Sequence, residues 1–276
     1  MPGVLYVVAT PIGNLGDVSQ RARETLSAAD LVVAEDTRRT GRLLQALGIR
    51  ASLRSMFEGN ERARTPAIVR ELEGGRMVAL VSDGGMPLVS DPGYRLVTAC
   101  VEAGIEVRVV PGPSAVLAAL VVSGLPTDRF AFEGFLPRAA GERRTRLAAV
   151  AHDPRTLVFF ESPRRVPGML RDVVTTMGDR QVALCRELTK LHEEVLRGPA
   201  SEVLATIGED PVRGEVVVVI EGDPVGAPVD LDAAIAEARS LVADGRRKRD
   251  AAHDVAVRLG ISANTLYRAL LDADVP

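Results

Sequence analysis

The sequence predicts an α/β protein with two α/β domains and a small helical extension at its C-terminus. Between residues 4 and 110, short β-branched apolar runs alternate with amphipathic segments of helical length, which is typical of βαβ units. Further strand-like runs follow between residues 129 and 222, and after a Gly/Pro-rich stretch only helical patterns remain. We therefore expect domains at residues 1–112 and 113–224 and a helical tail at 230–276.

The first domain contains the strand-like runs VLYVVA, LVVAE, MVALV and VRVV, which predict a parallel sheet. Three of them lead directly into glycine- and proline-rich loops, namely TPIGNLGD, SDGGMPLVSDPG and PGPSA. In an open α/β sheet the ligand crevice lies outside the carboxyl ends of the strands, and glycine lets the backbone approach a ligand closely. The loops therefore predict a site for one small-molecule cofactor.

A helix should join the two predicted domains. Pro113 suits a first helical turn, Ser114 is placed to cap it, and Gly124 with Pro126 should end it. The second domain has strand candidates RFAFEGF, TLVFFE, VALCRE and EVVVVIEG, with helices over PRRVPGMLRDVVTTM and PASEVLATI. Their closer spacing favours a mixed sheet.

The tail resembles a helix-turn-helix. A first helix should lead to a turn at Gly260, Ser262 should cap the second helix, and Leu266, Leu270 and Leu271 should face inward. Such a pair of helices could instead form a hairpin docked on the α/β domains or at a dimer interface. The adjacent basic run RRKR favours contact with RNA.

Composition excludes several classes of protein. The 276 residues are 46% hydrophobic with a formal charge of −3, which argues against disorder and against a wholly basic nucleic-acid coat protein. Gly or Pro interrupts each apolar stretch before it could span a membrane, and MPGVLYVVA lacks the basic region of a signal peptide, so we expect a cytoplasmic protein. Cys100 and Cys185 lack metal-ligand spacing, so we expect buried thiols and no metal site.

Common cofactor and nucleophile motifs match poorly. Gly13 and Gly16 follow the first strand and Glu35 ends the second, but the first glycine of a dinucleotide-binding GxGxxG is missing. A GxxxxGK phosphate loop is absent, and GPSAV lacks the second glycine of a GxSxG nucleophile elbow. The glycine loops therefore favour another kind of cofactor.

Several segments are similar to the ribosomal RNA small subunit methyltransferase I family, a branch of the tetrapyrrole methylase superfamily of class III methyltransferases. The combination of VVATPIGNLGD with AEDTRRTGRLL is specific to this family. The matching segments are VVATPIGNLGD, AEDTRRTGRLL, SDGGMPLVSDPG, PGPSA, RFAFEGFLPR, RTLVFFESPRR, CRELTKLHEE and GEVVVVIEG.

The resemblance implies two α/β domains that hold S-adenosylmethionine between them, a homodimer, and 2′-O-methylation of a cytidine in the decoding centre of 16S rRNA. The substrate would be that RNA or the assembled small ribosomal subunit. Cofactor contacts implied by the resemblance are Ile12, Gly85, Met86, Val89, Ser114, Ala115, Phe160, Glu161, Leu188, Thr189 and Gly214. The chain departs from the family pattern at MFEGNERAR, where Glu58 and Gly59 precede Asn60 in place of the usual His.

Methyl transfer to a hydroxyl depends on positioning and desolvation, and a general base adds to the rate. Base candidates are Asp83, which we favour, and Glu35 and Asp36, although Asp36 could cap a helix and Glu35 could pair with Arg38. Asn14 could orient the acceptor ribose. Phosphate-binding candidates are the clustered arginines Arg38, Arg39, Arg138, Arg143, Arg144, Arg246 and Arg247.

Two other functions stay open from the sequence. A tetrapyrrole methylase of the same fold would methylate a porphyrinoid ring and would not need the basic tail. A DNA-binding regulator would use residues 246–272 as its reader and the α/β body as a metabolite sensor, but this would leave the TPIGN and AEDTR loops unexplained.

Overall fold

The computed structural model describes residues 2–208, 213–223, 231–259 and 262–272. The chain forms two compact units: residues 1–151 with 155–222, and residues 152–154 with 223–276. Within these described residues, the first unit contains two five-stranded sheets and the second contains three helices. The predicted α/β fold with a C-terminal helical extension is confirmed, and the border at residues 112 and 113 stays a prediction. Among the described residues, no helix combines the length and apolarity needed to cross a bilayer.

The first sheet is parallel throughout, as predicted. Its strands are β1 Val4–Val8, β2 Leu31–Ala34, β3 Leu53–Ser55, β4 Val78–Val81 and β5 Glu106–Val110, in the order β3-β2-β4-β1-β5. The associated helices are α1 Gln20–Ala28, α2 Thr37–Ala46, α3 Glu61–Glu73 and α4 Tyr94–Glu102. The sequence did not predict β3, because its three residues are only half-buried and form no apolar run.

The second sheet is mixed, as predicted. Its strands are β6 Phe130–Phe135, β7 Thr156–Glu161, β8 Gln181–Arg186, β9 Glu194–Pro199 and β10 Val216–Ile220, in the order β6-β7-β10-β8-β9. Among its described strands, only β6 and β7 pair in parallel. Its helices are α6 Ala140–Ala149, α7 Val166–Met177 and α8 Ala200–Ile207. The edge strand β9 was not predicted, since EVLRGP contains charges, glycine and proline.

Helix α5, Ala115–Ser123, joins the two sheets. Ser114 Oγ accepts a hydrogen bond from the Leu117 backbone N–H, and Gly124 ends the helix with φ +77°, so the predicted cap and end are confirmed. The placement of Pro113 in the first turn is wrong, because Pro113 precedes the Ser114 cap. Residues of α5 pack with Val158, Val217 and other residues of the second sheet in one apolar cluster. The helix is thereby fixed on the face of that sheet.

The second unit contains α9 Leu231–Ala243, α10 Lys248–Leu259 and α11 Ala263–Asp272. Ser262 Oγ accepts from the Thr265 N–H, as expected of a cap, and Leu266 and Leu270 are buried. The prediction for Leu271 is wrong: its side chain is exposed, since neighbouring positions on a helix point about 100° apart. The predicted turn residue Gly260 lies outside the described residues.

Candidate functional site

The three glycine-rich loops meet at the carboxyl edge of the first sheet. Thr10 and Gly85 exchange two backbone hydrogen bonds of 2.9 and 3.0 Å, which join the loop after β1 to the loop after β4. The loop after β5 lies close to the loop after β1, because a Cβ on Gly112 would lie 2.9 Å from the Cβ of Ala9. Gly85 has φ +85°, a conformation that glycine adopts without strain. Small residues thus keep this edge open to a ligand.

A cleft of about 670 Å³ lies between this edge and the second sheet. That volume falls within the range of small-molecule sites. Its wall combines the three loops with residues from the ends of β2, β7 and β8 and from the start of β10.

The cleft brings together nearly all residues that the resemblance implied for the cofactor. Those lining it are Ile12, Gly85, Met86, Val89, Ser114, Ala115, Phe160, Glu161, Leu188 and Gly214. Thr189 does not line the cleft, but it follows Leu188 directly, and its buried Oγ1 has no hydrogen-bond partner. Within the described residues, Thr189 therefore has an unsatisfied hydroxyl beside the cleft wall.

Backbone strain is concentrated in two loops of this site. The described non-glycine residues with positive φ are Leu88 and Ser90 in the loop after β4, and Glu187 and Thr189 in the loop after β8. Such conformations persist only where the surrounding structure holds them, and they often occur at ligand sites.

Asp83, at the end of β4, has both carboxylate oxygens occupied. Oδ1 accepts from the Asp36 backbone N–H at 3.2 Å, and Oδ2 lies 3.1 Å from Arg39 Nη1. Arg39 Nη2 is also 3.8 Å from Glu215 Oε1, which precedes β10. Asp83 therefore helps to hold the start of α2 and the guanidinium of Arg39 in place.

Asp36 and Asn14 form caps outside the cleft wall. Asp36 accepts from the Arg38 N–H at 2.8 Å and pairs with its guanidinium, and these hydrogen bonds lower the pKa of Asp36 to about 2. Asn14 Oδ1 accepts from the Gly16 N–H at the start of a short 3-10 helix. Arg38 pairs with Asp36 and not with Glu35, so the ion pair considered for Glu35 and Arg38 is wrong.

Glu35 and Asp91 are further carboxyl groups of the cleft wall. Burial raises the pKa of Glu35, and the nearby charges of Asp91 and Asp83 raise it further. Burial also raises the pKa of Asp91 to about 6, against the opposing effect of a hydrogen bond with Ser82. Within the described part of the chain, no hydrogen bond or ion pair to the Glu35 carboxylate is present.

Glu161 ends β7 and is almost fully buried. Its Oε1 accepts from the Ser162 N–H at 2.7 Å and lies 3.1 Å from Arg165 Nε, without the geometry of a hydrogen bond. Oε2 is buried with no partner, and burial raises the pKa of this carboxyl. A buried oxygen of this kind costs free energy unless a donor reaches it.

The sequence did not identify Asp91, Lys190 and Glu215 as parts of the site. Lys190 Nζ lies 2.9 Å from both Glu187 Oε1 and Glu215 Oε2, and Lys190 and Glu215 line the cleft. A signal was available for Asp91, which stands in the second glycine loop, and for Lys190, one of only two lysines in the chain. The pairing with Glu215 spans 25 positions and has no local signature.

The predicted phosphate-binding arginines have different environments. Arg39 lines the cleft, while Arg38, Arg138 and Arg144 are exposed on the same unit. Arg246 and Arg247 are exposed on the second unit, where Arg246 pairs with Asp254.

Arg143 is a correction. Its guanidinium is buried, and Nε lies 2.7 Å from Asp172 Oδ2, so this side chain connects α6 to α7 inside the fold and is not available to a phosphate.

The segment that departs from the family pattern supports the next helix. Glu61 is buried, and its Oε1 accepts from the backbone N–H groups of Gly93 at 3.1 Å and Arg95 at 2.8 Å. Asn60 Oδ1 accepts from the Phe57 N–H. The segment thus ties the start of α3 to the start of α4.

Comparison with known proteins places these features in a family. The model of the tetrapyrrole (corrin/porphyrin) methylases matches residues 4–204. Ribosomal RNA small subunit methyltransferase I from Mycobacterium tuberculosis (strain CDC 1551 / Oshkosh) is 47% identical over 276 residues, covering 98% of this chain and 95% of the relative. The protein of that name from Escherichia coli O157:H7 is 45% identical over 273 residues, with the same shares covered.

Solved structures agree on the fold. The methyltransferase CobJ matches with a TM-score of 0.61 at 20% identity, over 80% of this chain and 94% of that one. Uroporphyrin-III C-methyl transferase from Thermus thermophilus, solved with S-adenyl homocysteine, matches with a TM-score of 0.56 at 22% identity, over 81% and 98% of the two chains.

Proposed function

Because the chain belongs to the tetrapyrrole methylase family and, within it, to the ribosomal RNA small subunit methyltransferase I group, we propose that it methylates the ribose 2′-hydroxyl of a cytidine in the decoding centre of 16S rRNA, with S-adenosylmethionine as donor. The observation that carries the proposal is the near full-length similarity to relatives of that one name. Likeness to the tetrapyrrole enzymes is one of fold.

The residues of the cleft fit this cofactor. Glycines leave backbone groups accessible, the volume is sufficient, and the buried oxygens of Glu161 and Thr189 require hydrogen-bond partners. The residues that would hold it are Ile12, Gly85, Met86, Val89, Ser114, Ala115, Phe160, Glu161, Leu188, Thr189 and Gly214. When bound, the cofactor supplies a methyl group activated by a sulfonium.

We assign the role of proton acceptor to Glu35 in place of Asp83. A general base needs a free carboxylate with a pKa nearer to neutrality. Asp83 is held by Arg39 and the Asp36 N–H, and Asp36 is a cap with a lowered pKa. Asp91 also lines the cleft with a pKa raised to about 6, but its carboxylate is engaged in a hydrogen bond with Ser82.

Glu35 lines the cleft, has a raised pKa and, among the described residues, has no hydrogen bond to its carboxylate. It would accept the proton of the ribose hydroxyl, and Asn14, whose Oδ1 accepts from the Gly16 N–H, would orient that ribose through the NH2 of its amide.

Phosphates of the RNA would bind to exposed arginines. Arg38, Arg39, Arg138 and Arg144 belong to the unit that contains the cleft, and Arg246 with Arg247 would add a basic patch on the tail. Aromatic residues make up only 3% of the chain, so phosphate and shape contacts should dominate over base stacking.

The protein would act as a homodimer in the cytoplasm, where its RNA substrate is found. Support for the dimer comes from α5, where Leu117 and Val121 lie four residues apart and are 51% and 71% exposed. Sedimentation of Val121→Glu beside the unchanged protein checks this, because a charge on a dimer face should favour the monomer.

The function is tested by incubating the protein with methyl-labelled cofactor and, separately, assembled small ribosomal subunits, naked 16S rRNA, a porphyrinoid ring and duplex DNA. Label on a ribose 2′-oxygen of the ribosomal RNA is the expected result. Label on the porphyrinoid alone would instead support a tetrapyrrole methylase. Sequence-specific binding to duplex DNA without any transfer of label would support a regulator.

A further inference from the structure

Glu161 is a buried carboxylate with one satisfied and one unsatisfied oxygen. Its side chain has no solvent exposure, Oε1 accepts from the Ser162 N–H, and Oε2 has no partner although Glu161 lines the cleft. A buried carboxylate oxygen without a donor is costly, and a donor from a bound ligand would remove that cost.

The cationic side chains in and near the cleft wall have other partners. Arg39 is held by Asp83, and Lys190 lies between Glu187 and Glu215. Arg165, which lies outside the cleft wall, donates through Nη2 to the carbonyl oxygens of Leu136 and Pro137 at 2.7 and 2.8 Å, and its Nε lies 3.1 Å from Oε1 without the geometry of a hydrogen bond. Within the described residues, Glu161 Oε2 therefore has no donor.

The same cleft also contains a site that favours a negatively charged group, whereas Glu161 favours a positively charged one. Ser114 and Ala115 line it at the N-terminus of α5, a nine-residue helix whose first backbone N–H groups favour an anion. An amino-acid group has both charges, a carboxylate and an ammonium. The cleft thus offers a donor set for one charge and a buried acceptor for the other.

We propose that Glu161 Oε2 accepts a hydrogen bond from the α-ammonium group at the amino-acid end of the donor cofactor, and that this ion pair anchors that end of the ligand. The inference rests on the proposed function, since it takes S-adenosylmethionine as the ligand. It assigns to Glu161 a binding role in which the charge matters, and no part in proton transfer.

Calorimetric titration of the full chain tests this without any turnover. The probes are S-adenosylhomocysteine, its decarboxylated form, which keeps the amine, and its deaminated form, which keeps the carboxylate. Glu161→Gln should weaken binding of the two amine-bearing ligands by about 10- to 100-fold, since hydrogen bonds to charged groups are worth about 1.5–3 kcal/mol. It should leave the deaminated ligand within about twofold of its original affinity.

Two further variants keep the test decisive. Glu161→Asp retains the charge on a shorter side chain and should give an intermediate loss of affinity for the two amine-bearing ligands. This variant also provides the test if Glu161→Gln fails to fold. Asp179→Asn removes a carboxylate outside the cleft wall and should change none of the three affinities.

Equal weakening of all three ligands would overturn the proposal in favour of a structural role. No change for any ligand would also overturn it, and a changed preference for cytidine over uridine RNA at constant cofactor affinity would assign Glu161 to the base. Failure of the unchanged protein to bind S-adenosylhomocysteine would refute the proposed function itself.

Discussion

Arg39 Nη1 lies 3.1 Å from Asp83 Oδ2, so a side chain of α2 neutralises the carboxylate at the end of β4. The same guanidinium reaches Glu215 before β10 at 3.8 Å. Because Asp83 is engaged in this way, Glu35 is the cleft carboxylate better suited to accept a proton.

Glu35→Gln should lower kcat by about 10²- to 10⁴-fold, the usual contribution of a general base. Affinity for S-adenosylhomocysteine should stay unchanged in calorimetry. The base acts when deprotonated, and its pKa is raised, so the rate of the unchanged protein should fall as the pH drops through that raised value. A pH–rate profile of the variant should lack this inflection.

Asp91→Asn provides a matched control for that profile. Its negative charge is the second cause of the raised pKa of Glu35, after burial, so removing it should move the inflection to lower pH. An inflection that stays in place would contradict the assignment to Glu35.

Asp36 should act as a helix cap and not as a catalyst. Asp36→Asn keeps a good capping side chain and should retain most of the activity, whereas Asp36→Ala should lower the melting temperature by about 2–4 °C. Thermal scans and initial rates on both variants check this. Loss of activity in Asp36→Asn at unchanged stability would show that the charge itself is needed.

Removal of Arg143 from its buried ion pair with Asp172 should strongly destabilise the protein, because it leaves an uncompensated buried charge. The side chains of the pair are about 10% and 12% exposed, and removing one partner of a buried pair costs about 3–5 kcal/mol. Denaturant unfolding of Arg143→Ala should show this loss. Arg144→Ala is the matched control, because Arg144 is half exposed and 3.7 Å from Asp172, and it should unfold near the unchanged midpoint.

Gly214→Ala should destabilise the protein and weaken cofactor binding. Gly214 has φ +89°, and a Cβ would lie 2.3 Å from Glu187 Oε1, which already accepts from Lys190 and the Glu215 N–H. Gly48→Ala controls for backbone strain, because Gly48 has φ +72° and no atom within 4 Å of the added Cβ. This variant should lose about 1–2 kcal/mol of unfolding free energy. Equal unfolding free energies for the two variants would exclude the clash at Glu187.

Arg38→Ala should weaken RNA binding uniformly across sequences. Arg38 is 87% exposed, so loss of one phosphate contact should reduce the slope of log affinity against log salt by about one. Filter binding to 16S rRNA at several salt concentrations measures this slope. Arg64→Ala, an exposed arginine of α3 outside the predicted set, should leave the slope unchanged.

Local patterns determined much of the fold and part of the site. The alternation of β-branched runs with amphipathic segments predicted both the parallel sheet and the glycine loops at its carboxyl edge, because strand and helix periods are local properties. The short edge strands β3 and β9 lack such a period and were missed. Leu271 was placed on the wrong face, because apolar character does not state which of two adjacent helix positions packs inward.

By itself, then, the sequence determined the α/β class, the mixed second sheet, the helical tail and the loops that surround the cleft. Only the tertiary structure decided the partners of individual charges: Arg143 is buried against Asp172 while its neighbour Arg144 is exposed, and Asp83 binds Arg39 from 44 positions away. The physical reason is that a period of two or 3.6 residues assigns a face, whereas an ion pair depends on how distant elements dock, which no local pattern encodes.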